Sequence, residues 1–380
     1  MVTDFDCDLI IVGAGPAGAT MALMLARSGL RVAVIDKERF PRDKVCGDAL
    51  SGKVVSILRR MPDGVLDAFL ETVPKTPSYG IRFVSPGAHI LDVPFKPVKE
   101  VPPGFICPRR EFDGFLVSML RKHPNIRLIE GEKVVGLTRE NGLVTAVTEH
   151  GKLTGRMIAG ADGVHSTVRS LTGFPRPLRK HLCTGIRAYF EGVRDLHPEN
   201  YIELIFLKEL LPFYFWIFPE VNGRCNAGLA MLQSGISSER VNIGEVFTRI
   251  ISDHPSIAPR FSGARMTGRA EAQALPLGMR PGPFSGDRLL LLGDAASLVD
   301  PFTGEGIGNA MASGEVAARV VKSCFEKGDL SANGLGDYEV QLKRRIGREL
   351  RTSGMLQRLA KSPLLFDLVS WTGRGWLRFP

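Results

Sequence analysis

The chain has 380 residues, 44% of them hydrophobic and 23% charged, with a formal net charge of +9. This length suits one large or two medium domains, and the composition is that of an ordinary globular protein, which excludes disordered, collagenous and disulfide-stapled classes. Six cysteines at 7, 46, 107, 183, 225 and 324 show no CxxC pairing and the seven histidines no HxH or HExxH pattern, so reduced thiols and no metal centre are expected.

The acidic opening Asp4-Phe5-Asp6 lacks the basic n-region of a secretory signal, so a cytoplasmic location is expected. An apolar β-type run, Leu9 to Val12, then enters Gly13-Ala14-Gly15-Pro16-Ala17-Gly18. A helical run to Arg27, a stop at Gly29 and a second β-type run, Arg31 to Ile35, end on Asp36. This is a βαβ unit with a dinucleotide fingerprint in its first turn. Gly13 permits the tight turn, Gly15 removes a Cβ from the path of a pyrophosphate, and Gly18 lets helix and strand approach. The helix N-terminus offers unpaired N–H groups to the phosphates. Asp36 stands about 20 residues beyond the glycines, where a carboxylate accepts from a ribose hydroxyl. The uncharged window Leu9 to Ala26 is long enough for a membrane span, but its Gly-Ala-Gly-Pro turn argues against one. The motif alone does not separate FAD from NAD(P).

A charged loop containing Pro41 and the turn Cys46-Gly47-Asp48 follows, with a helix expected from Lys53. A loop leaving the carboxyl end of such strands lies beside the ligand, so Cys46 faces the cofactor or is a small buried hydrophobe. Tyr79 to Pro103 suggests a hairpin in another layer. Arg109 opens an amphipathic helix with Phe112, Phe115, Leu116 and Met119 at helical spacing. Ile126 to Gly163 reads as a β-meander, with Asn141-Gly142 a strong hairpin signal and His150-Gly151 a second turn.

Residues 175–275 are aromatic and strand-like, with the cluster Pro212-Phe213-Tyr214-Phe215-Trp216-Ile217-Phe218-Pro219. Such rings wall an apolar cavity or fill an ordinary sheet core. Leu289 to Leu292 reads as a buried strand ending at Gly293-Asp294. A loop from Pro301 to Gly306 precedes a helix from Ile307, whose Gly308, Ala310, Ala312 and Gly314 allow close packing. Its N-terminal dipole favours negative charge on a bound ring system. Residues 341–380 carry nine Lys or Arg against Glu349 and Asp367. With Trp371, Trp376, Leu377 and Phe379 they suit an anionic membrane surface, or helices packed on the body with charges in solvent. No nucleic-acid-binding motif accompanies them.

Three separated motifs thus stand in order: the Gly13 to Gly18 unit with Asp36; Gly160-Ala161-Asp162-Gly163 with Arg169; and Gly293-Asp294 with Pro301-Phe302-Thr303-Gly304-Glu305-Gly306-Ile307. Together they resemble FAD-dependent oxidoreductases of the para-hydroxybenzoate hydroxylase type, over residues 5–330. The resemblance implies that the first motif binds the ADP part of FAD and that Asp162 and Gly163 lie near the pyrophosphate. It implies that Asp294 takes a ribityl hydroxyl, that Gly304, Gly306 and Ile307 present backbone N–H groups to the isoalloxazine, and that Arg109, in an RxxFD context, contacts the FAD linker. It also assigns Ala17, Lys37, Ala49, Val134, Gly293 and Pro301 to the cofactor. Within this group, Lys44-Val45-Cys46-Gly47-Asp48 and Tyr214-Phe215-Trp216-Ile217-Phe218-Pro219 resemble the KxCG and YxWxFP motifs of the geranylgeranyl reductase family. Those motifs imply that Lys44, Cys46 and Gly47 stand against the flavin and that Tyr214, Trp216 and Phe218 line a prenyl channel. The family GxG is replaced by Gly228-Leu229-Ala230.

The implied fold is α/β: a Rossmann-type FAD-binding domain (1–75, 105–172 and 273–330), an inserted antiparallel β-sheet substrate domain (76–104 and 173–272) and a basic helical C-terminal segment (331–380). The implied activity is reduction of C=C bonds in a long isoprenoid lipid or diphosphate by hydride from reduced flavin. Tyr214 and Trp216 would hold the chain, and Cys46 would position groups or donate a proton. No second dinucleotide fingerprint is visible, so the electron donor is NAD(P)H or a ferredoxin-like protein. One alternative is an oxygen-using hydroxylase or halogenase, whose related WxWxIP motif has Trp and Ile where this chain has Tyr214 and Phe218. The other is a flavin or lipid carrier without chemistry.

Overall fold

The computed structural model describes residues 5–220, 223–234, 236, 241–278, 282–363 and 367. Strand β1 (Cys7–Val12), helix α1 (Pro16–Met24) and strand β2 (Val32–Asp36) form the opening unit. A short β3 (Ala49–Leu50), helices α2 (Gly52–Arg60) and α3 (Val65–Thr72), β4 (Thr76–Ser78), β5 (Gly80–Val84), β6 (Ile90–Pro94) and β7 (Gly104–Ile106) follow. Helix α4 (Arg109–Leu120) leads to β8 (Ile126–Glu130), β9 (Val134–Glu140), β10 (Leu143–Thr148) and β11 (Lys152–Gly160). Next come α5 (Thr167–Leu171), β12 (Leu182–Glu191), β13 (Ile202–Ile205), β14 (Phe215–Pro219) and β15 (Arg224–Leu232). The remainder is α6 (Ile243–Asp253), α7 (Ala258–Phe261), β16 (Arg265–Pro276), β17 (Ser285–Gly286), β18 (Leu289–Leu291), α8 (Ile307–Lys327) and α9 (Ala332–Leu359).

An eight-stranded sheet runs β17-β18-β11-β1-β2-β8, and the antiparallel pair β9-β10 extends it from β11. Its central strands β1 and β2 are buried along nearly their whole length, as parallel strands covered on both faces must be. Helices α1 and α8 cross so closely that a Cβ on Gly314 would stand 2.3 Å from the Ala17 carbonyl oxygen. That contact explains the small-residue helix face. The Asn141-Gly142 turn joins β9 to β10 with φ of 50° and 73°, the left-handed pair that a type I′ hairpin requires.

The second sheet has seven strands in the order β16-β12-β15-β14-β13-β5-β6, and a third has three, β3-β7-β4. The expected hairpin at residues 79–103 is β5-β6, on the edge of the seven-stranded sheet. Among the described residues no helix is long and apolar enough to cross a membrane.

The structure departs from the sequence reading in three places. β8 does not belong to the meander: it pairs in parallel with β2, Val32 opposite Ile126 through Asp36 opposite Glu130, after the crossover helix α4. Residues 243–253, within the stretch read as strand-like, are helical. There the Asn242 side chain accepts from the Gly244 N–H, and Val246, Phe247 and Ile250 bury one face. Helix α1 ends at Met24 rather than Arg27, followed by turn residues. The tail residues Trp371, Trp376, Leu377 and Phe379 lie outside the described residues.

Candidate flavin and substrate site

The site begins at the turn between β1 and α1. Gly13 has φ of +105°, and a Cβ there would lie 2.3 Å from the Ala161 carbonyl oxygen, so the turn is pressed against the end of β11. Gly15 is different. Only the far end of Arg42 comes within 4 Å of the place its Cβ would take, at 3.7 Å, and the open side belongs to a cavity. Helix α1 carries no side-chain cap and no acid in its first turn, which leaves its leading N–H groups to an anion. Asp36 is buried at the tip of β2. One oxygen accepts from the Ala14 N–H (2.7 Å) and the other from the Glu38 N–H (2.9 Å), while burial pushes its carboxyl pKa up. Its carboxylate therefore braces the glycine turn and keeps one lone pair per oxygen for a hydroxyl.

The cavity holds about 790 Å³, toward the upper end of the ~300–1,000 Å³ usual for small-molecule sites. It runs from Gly13 and Asp36 past Asp162 and Asp294 to Trp216 and Leu275. The structure gathers Gly13, Gly15, Ala17, Asp36, Lys37, Lys44, Cys46, Gly47, Ala49, Arg109 and Val134 on its wall. Asp162, Gly163, Tyr214, Trp216, Phe218, Asp294, Gly304, Gly306 and Ile307 complete that set. Gly18, Gly293 and Pro301 stand behind the wall. A Cβ on Gly18 would meet the Gly13 carbonyl oxygen at 1.9 Å, Gly293 packs on Ala17 and Ala310, and the Pro301 carbonyl accepts from Gln357 Nε2. These three shape the wall without reaching the cavity.

Charges organise the middle of the cavity. Lys44 Nζ lies 3.2 Å from Asp294 Oδ2, joining residues 250 apart in sequence. Arg109 grips Asp113 with two hydrogen bonds of 2.8 and 2.7 Å, and Arg42 adds a third of 2.6 Å. Burial opposes ionisation of Asp113, but Arg109 and Arg42 outweigh it and hold the carboxyl below its usual range. Burial pushes the thiol of half-buried Cys46 up, and the neighbouring Arg109 charge offsets only part of this, so the thiol stays protonated at neutral pH. Asp162 accepts from the Val168 N–H with one oxygen, while its other oxygen is buried without a partner. Arg169 is structural, donating to the carbonyls of Ala295 and Pro175 and to Ser297.

The far end is aromatic. Along β14 side chains alternate between faces. Tyr214, Trp216 and Phe218 belong to the cluster at the cavity, whereas Phe215 and Ile217 pack with Val246, Phe247 and Ile250 of α6 on the opposite face. The run thus both walls a cavity and fills a sheet core. Tyr214 donates its hydroxyl hydrogen to the Thr303 carbonyl. Trp216 donates from Nε1 to Asn226 Oδ1 at 2.9 Å. Gly228 lets the indole lie on β15, since a Cβ there would be 2.3 Å from the ring, and Gly47 likewise accommodates Phe218.

Sequence reasoning missed two polar organisers. Asp300 accepts from the Phe302 and Thr303 N–H groups and from the Thr303 hydroxyl, setting the 300–306 loop. The Asp-Pro pair at its head is a turn signal that marks it. Buried Asn226 donates from Nδ2 to both the Cys46 carbonyl and Asp48 Oδ2, each at 2.8 Å. Nothing local in the sequence distinguishes it.

An open glycine at the head, an uncapped helix, an unpartnered Asp162 oxygen and one continuous cavity fit an extended dinucleotide such as FAD. The profile of the FAD binding domain family matches residues 6–203. The menaquinone reductase of Mycolicibacterium smegmatis is 30% identical over 323 residues, covering 83% of this chain and 76% of that protein. The digeranylgeranylglycerophospholipid reductase of Methanocella arvoryzae is 30% identical over 353 residues, covering 90% and 84%. The chain belongs to the geranylgeranyl reductase family of FAD-dependent oxidoreductases. This flavoprotein shares its fold with a geranylgeranyl bacteriochlorophyll reductase-like protein from Thermoplasma acidophilum (TM-score 0.83, 24% identity, 96% and 91% of the two chains). It also shares that fold with a halogenase solved with phloroglucinol and FAD (TM-score 0.79, 18% identity, 98% and 80%).

Proposed function

We propose that this flavoprotein reduces C=C bonds of a long isoprenoid chain carried by a lipid or diphosphate. The carrying observation is the aromatic and aliphatic extension of the cavity beyond the Cys46-Gly47 turn, walled by Tyr214, Trp216 and Phe218 and continued by Ile81 and Leu275. Reduced FAD supplies the hydride. The protein orients the chain along the rings and keeps water from the reacting carbons. Tyr214 and Trp216 position the chain, and Cys46 faces the ring system as a neutral thiol. The head of the cavity, from Gly13 to Asp36, holds the ADP part, with Arg109 near the linker and Lys44 against the flavin. NAD(P)H or a ferredoxin-like protein delivers the electrons. Helix α9 presents Met355, Leu356 and Leu359 exposed beside its basic residues, which supports peripheral contact with an anionic membrane from the cytoplasm.

Trp216→Ala is expected to retain FAD and to lose at least about tenfold in turnover of prenyl substrates, because the chain loses its alignment with the ring. The assay uses anaerobic, chemically reduced enzyme with geranylgeranyl lipids and diphosphates, read by mass spectrometry. Unchanged turnover rejects the wall. A strict requirement for oxygen rejects the reductase in favour of a hydroxylase or halogenase.

A further inference from the structure

One side chain joins the aromatic wall of the cavity to the turn it rests on. Asn226 stands in the middle of β15, opposite Phe218 of β14 and Tyr189 of β12, and is completely buried. Its Oδ1 accepts from the Trp216 indole N–H at 2.9 Å, and its Nδ2 donates to the Cys46 carbonyl and to Asp48 Oδ2, each at 2.8 Å. Only one orientation of the amide satisfies these partners, because an indole N–H can only donate and a carbonyl can only accept. Cys46, Gly47, Trp216 and Phe218 line the cavity, and Asn226, with no exposed surface, lies behind them.

Wall and turn are each confined from further sides. A Cβ on Gly228 would stand 2.3 Å from the indole, so the ring lies against β15. A Cβ on Gly47 would stand 2.7 Å from the Phe218 ring and 3.5 Å from Trp216 Nε1, so the turn lies against the wall. Asp48 has φ of +67°, its backbone carbonyl accepts from the Cys107 N–H at 2.9 Å, and its Oδ2 also accepts from the Tyr189 hydroxyl at 2.8 Å. Any rotation that carried the indole off Asn226 would leave a buried N–H without a partner, which packing alone does not repay.

We propose that Asn226 is a positioning residue for the reduction: its one amide sets the Trp216 indole and the Cys46-Gly47 turn in a single register, and so fixes which double bond of the chain meets the hydride. The inference rests on the isoprenoid reading of the cavity. An isoprenoid chain carries a C=C bond in every unit, so sliding the wall along the turn changes which bond is presented as well as how well it is aligned. Hydride transfer depends steeply on that alignment. Affinity for the chain comes from apolar contact with the rings, which the amide does not touch, so the role belongs to the reacting step and not to binding.

Single turnovers of the pre-reduced holoenzyme on a geranylgeranyl lipid test the role. Asn226→Leu, similar in size but without polar atoms, is expected to slow the saturated rate at least about tenfold while the half-saturating lipid concentration changes less than about threefold. Mass spectrometry of the products is expected to show reduction spread over positions that the wild type leaves untouched. A wild-type rate and product pattern overturn the proposal, and so does a loss confined to substrate affinity. Should Asn226→Leu fail to retain FAD, Trp216→Phe, which keeps both bonds from Asn226 to the turn, decides by the same two readouts. The visible circular dichroism of bound FAD tests the other arm without substrate. Asn226→Asp keeps the acceptor for Trp216 but turns an oxygen toward the Cys46 carbonyl and Asp48, so the turn is released and the dichroism is expected to change. A spectrum identical to the wild type overturns the link to the turn. If the wild type reduces no isoprenoid, the proposed substrate fails, while the dichroism still decides whether Asn226 holds the turn.

Discussion

Gly15→Ala is expected to fold normally and yet to bind FAD on the order of a hundredfold more weakly, a loss of about 3 kcal/mol. The new methyl group meets only the end of a flexible arginine, so the apoprotein has no reason to shift. It projects instead where the backbone of the first turn must approach the pyrophosphate. Gly18→Ala provides the contrast. Its Cβ would sit 1.9 Å from the Gly13 carbonyl oxygen, a backbone atom that cannot step aside, so the βαβ unit itself fails. Calorimetric titration of the two apoproteins with FAD, beside their thermal melts, separates the cases. A Gly15→Ala protein that binds FAD like the wild type removes the first turn from the cofactor site.

Asp113→Ala is expected to destabilise the protein by about 3–5 kcal/mol, the penalty for leaving a buried cation without its partner. Asp113 is fully buried, its two oxygens hold the Arg109 fork, and it also receives Arg42. Because its folded pKa is depressed, the stabilisation is complete above the ordinary carboxylate range near 3.8 and is lost as pH falls through the lower folded value. Urea unfolding of the wild type and Asp113→Ala at pH 7 and pH 3 measures both statements. A difference below about 1 kcal/mol at neutral pH would show Arg109 to be solvated rather than dependent on Asp113.

The opening unit was legible because its signals agree locally: a continuously apolar strand, three glycines at fixed spacing and a second strand ending on Asp36. The Asn141-Gly142 hairpin was legible for the same reason, since two positive φ angles demand those residue types. The parallel partner of β8 was not, because strand pairing across a crossover is decided by the sheet and not by the strand. Helix α6 was hidden by its Val, Ile and Phe content, which favours strands until an N-cap and a packing face override it. The aromatic run left cavity and core undecided, and the period-2 alternation of β14 answers that both hold. Asn226 was invisible, because its meaning lies in partners at Cys46 and Asp48, 180 residues upstream in the case of Cys46.

The bond from Tyr214 to the Thr303 carbonyl, with Phe206 stacked on Phe302 at 5.7 Å, ties strand β14 to the loop that opens helix α8. The aromatic wall of the cavity and the 300–306 loop are therefore one packed unit. A chimera that imports the seven-stranded sheet of a relative must bring that relative's residues at 300–306 as well, or the grafted tyrosine will meet a loop shaped for another hydroxyl.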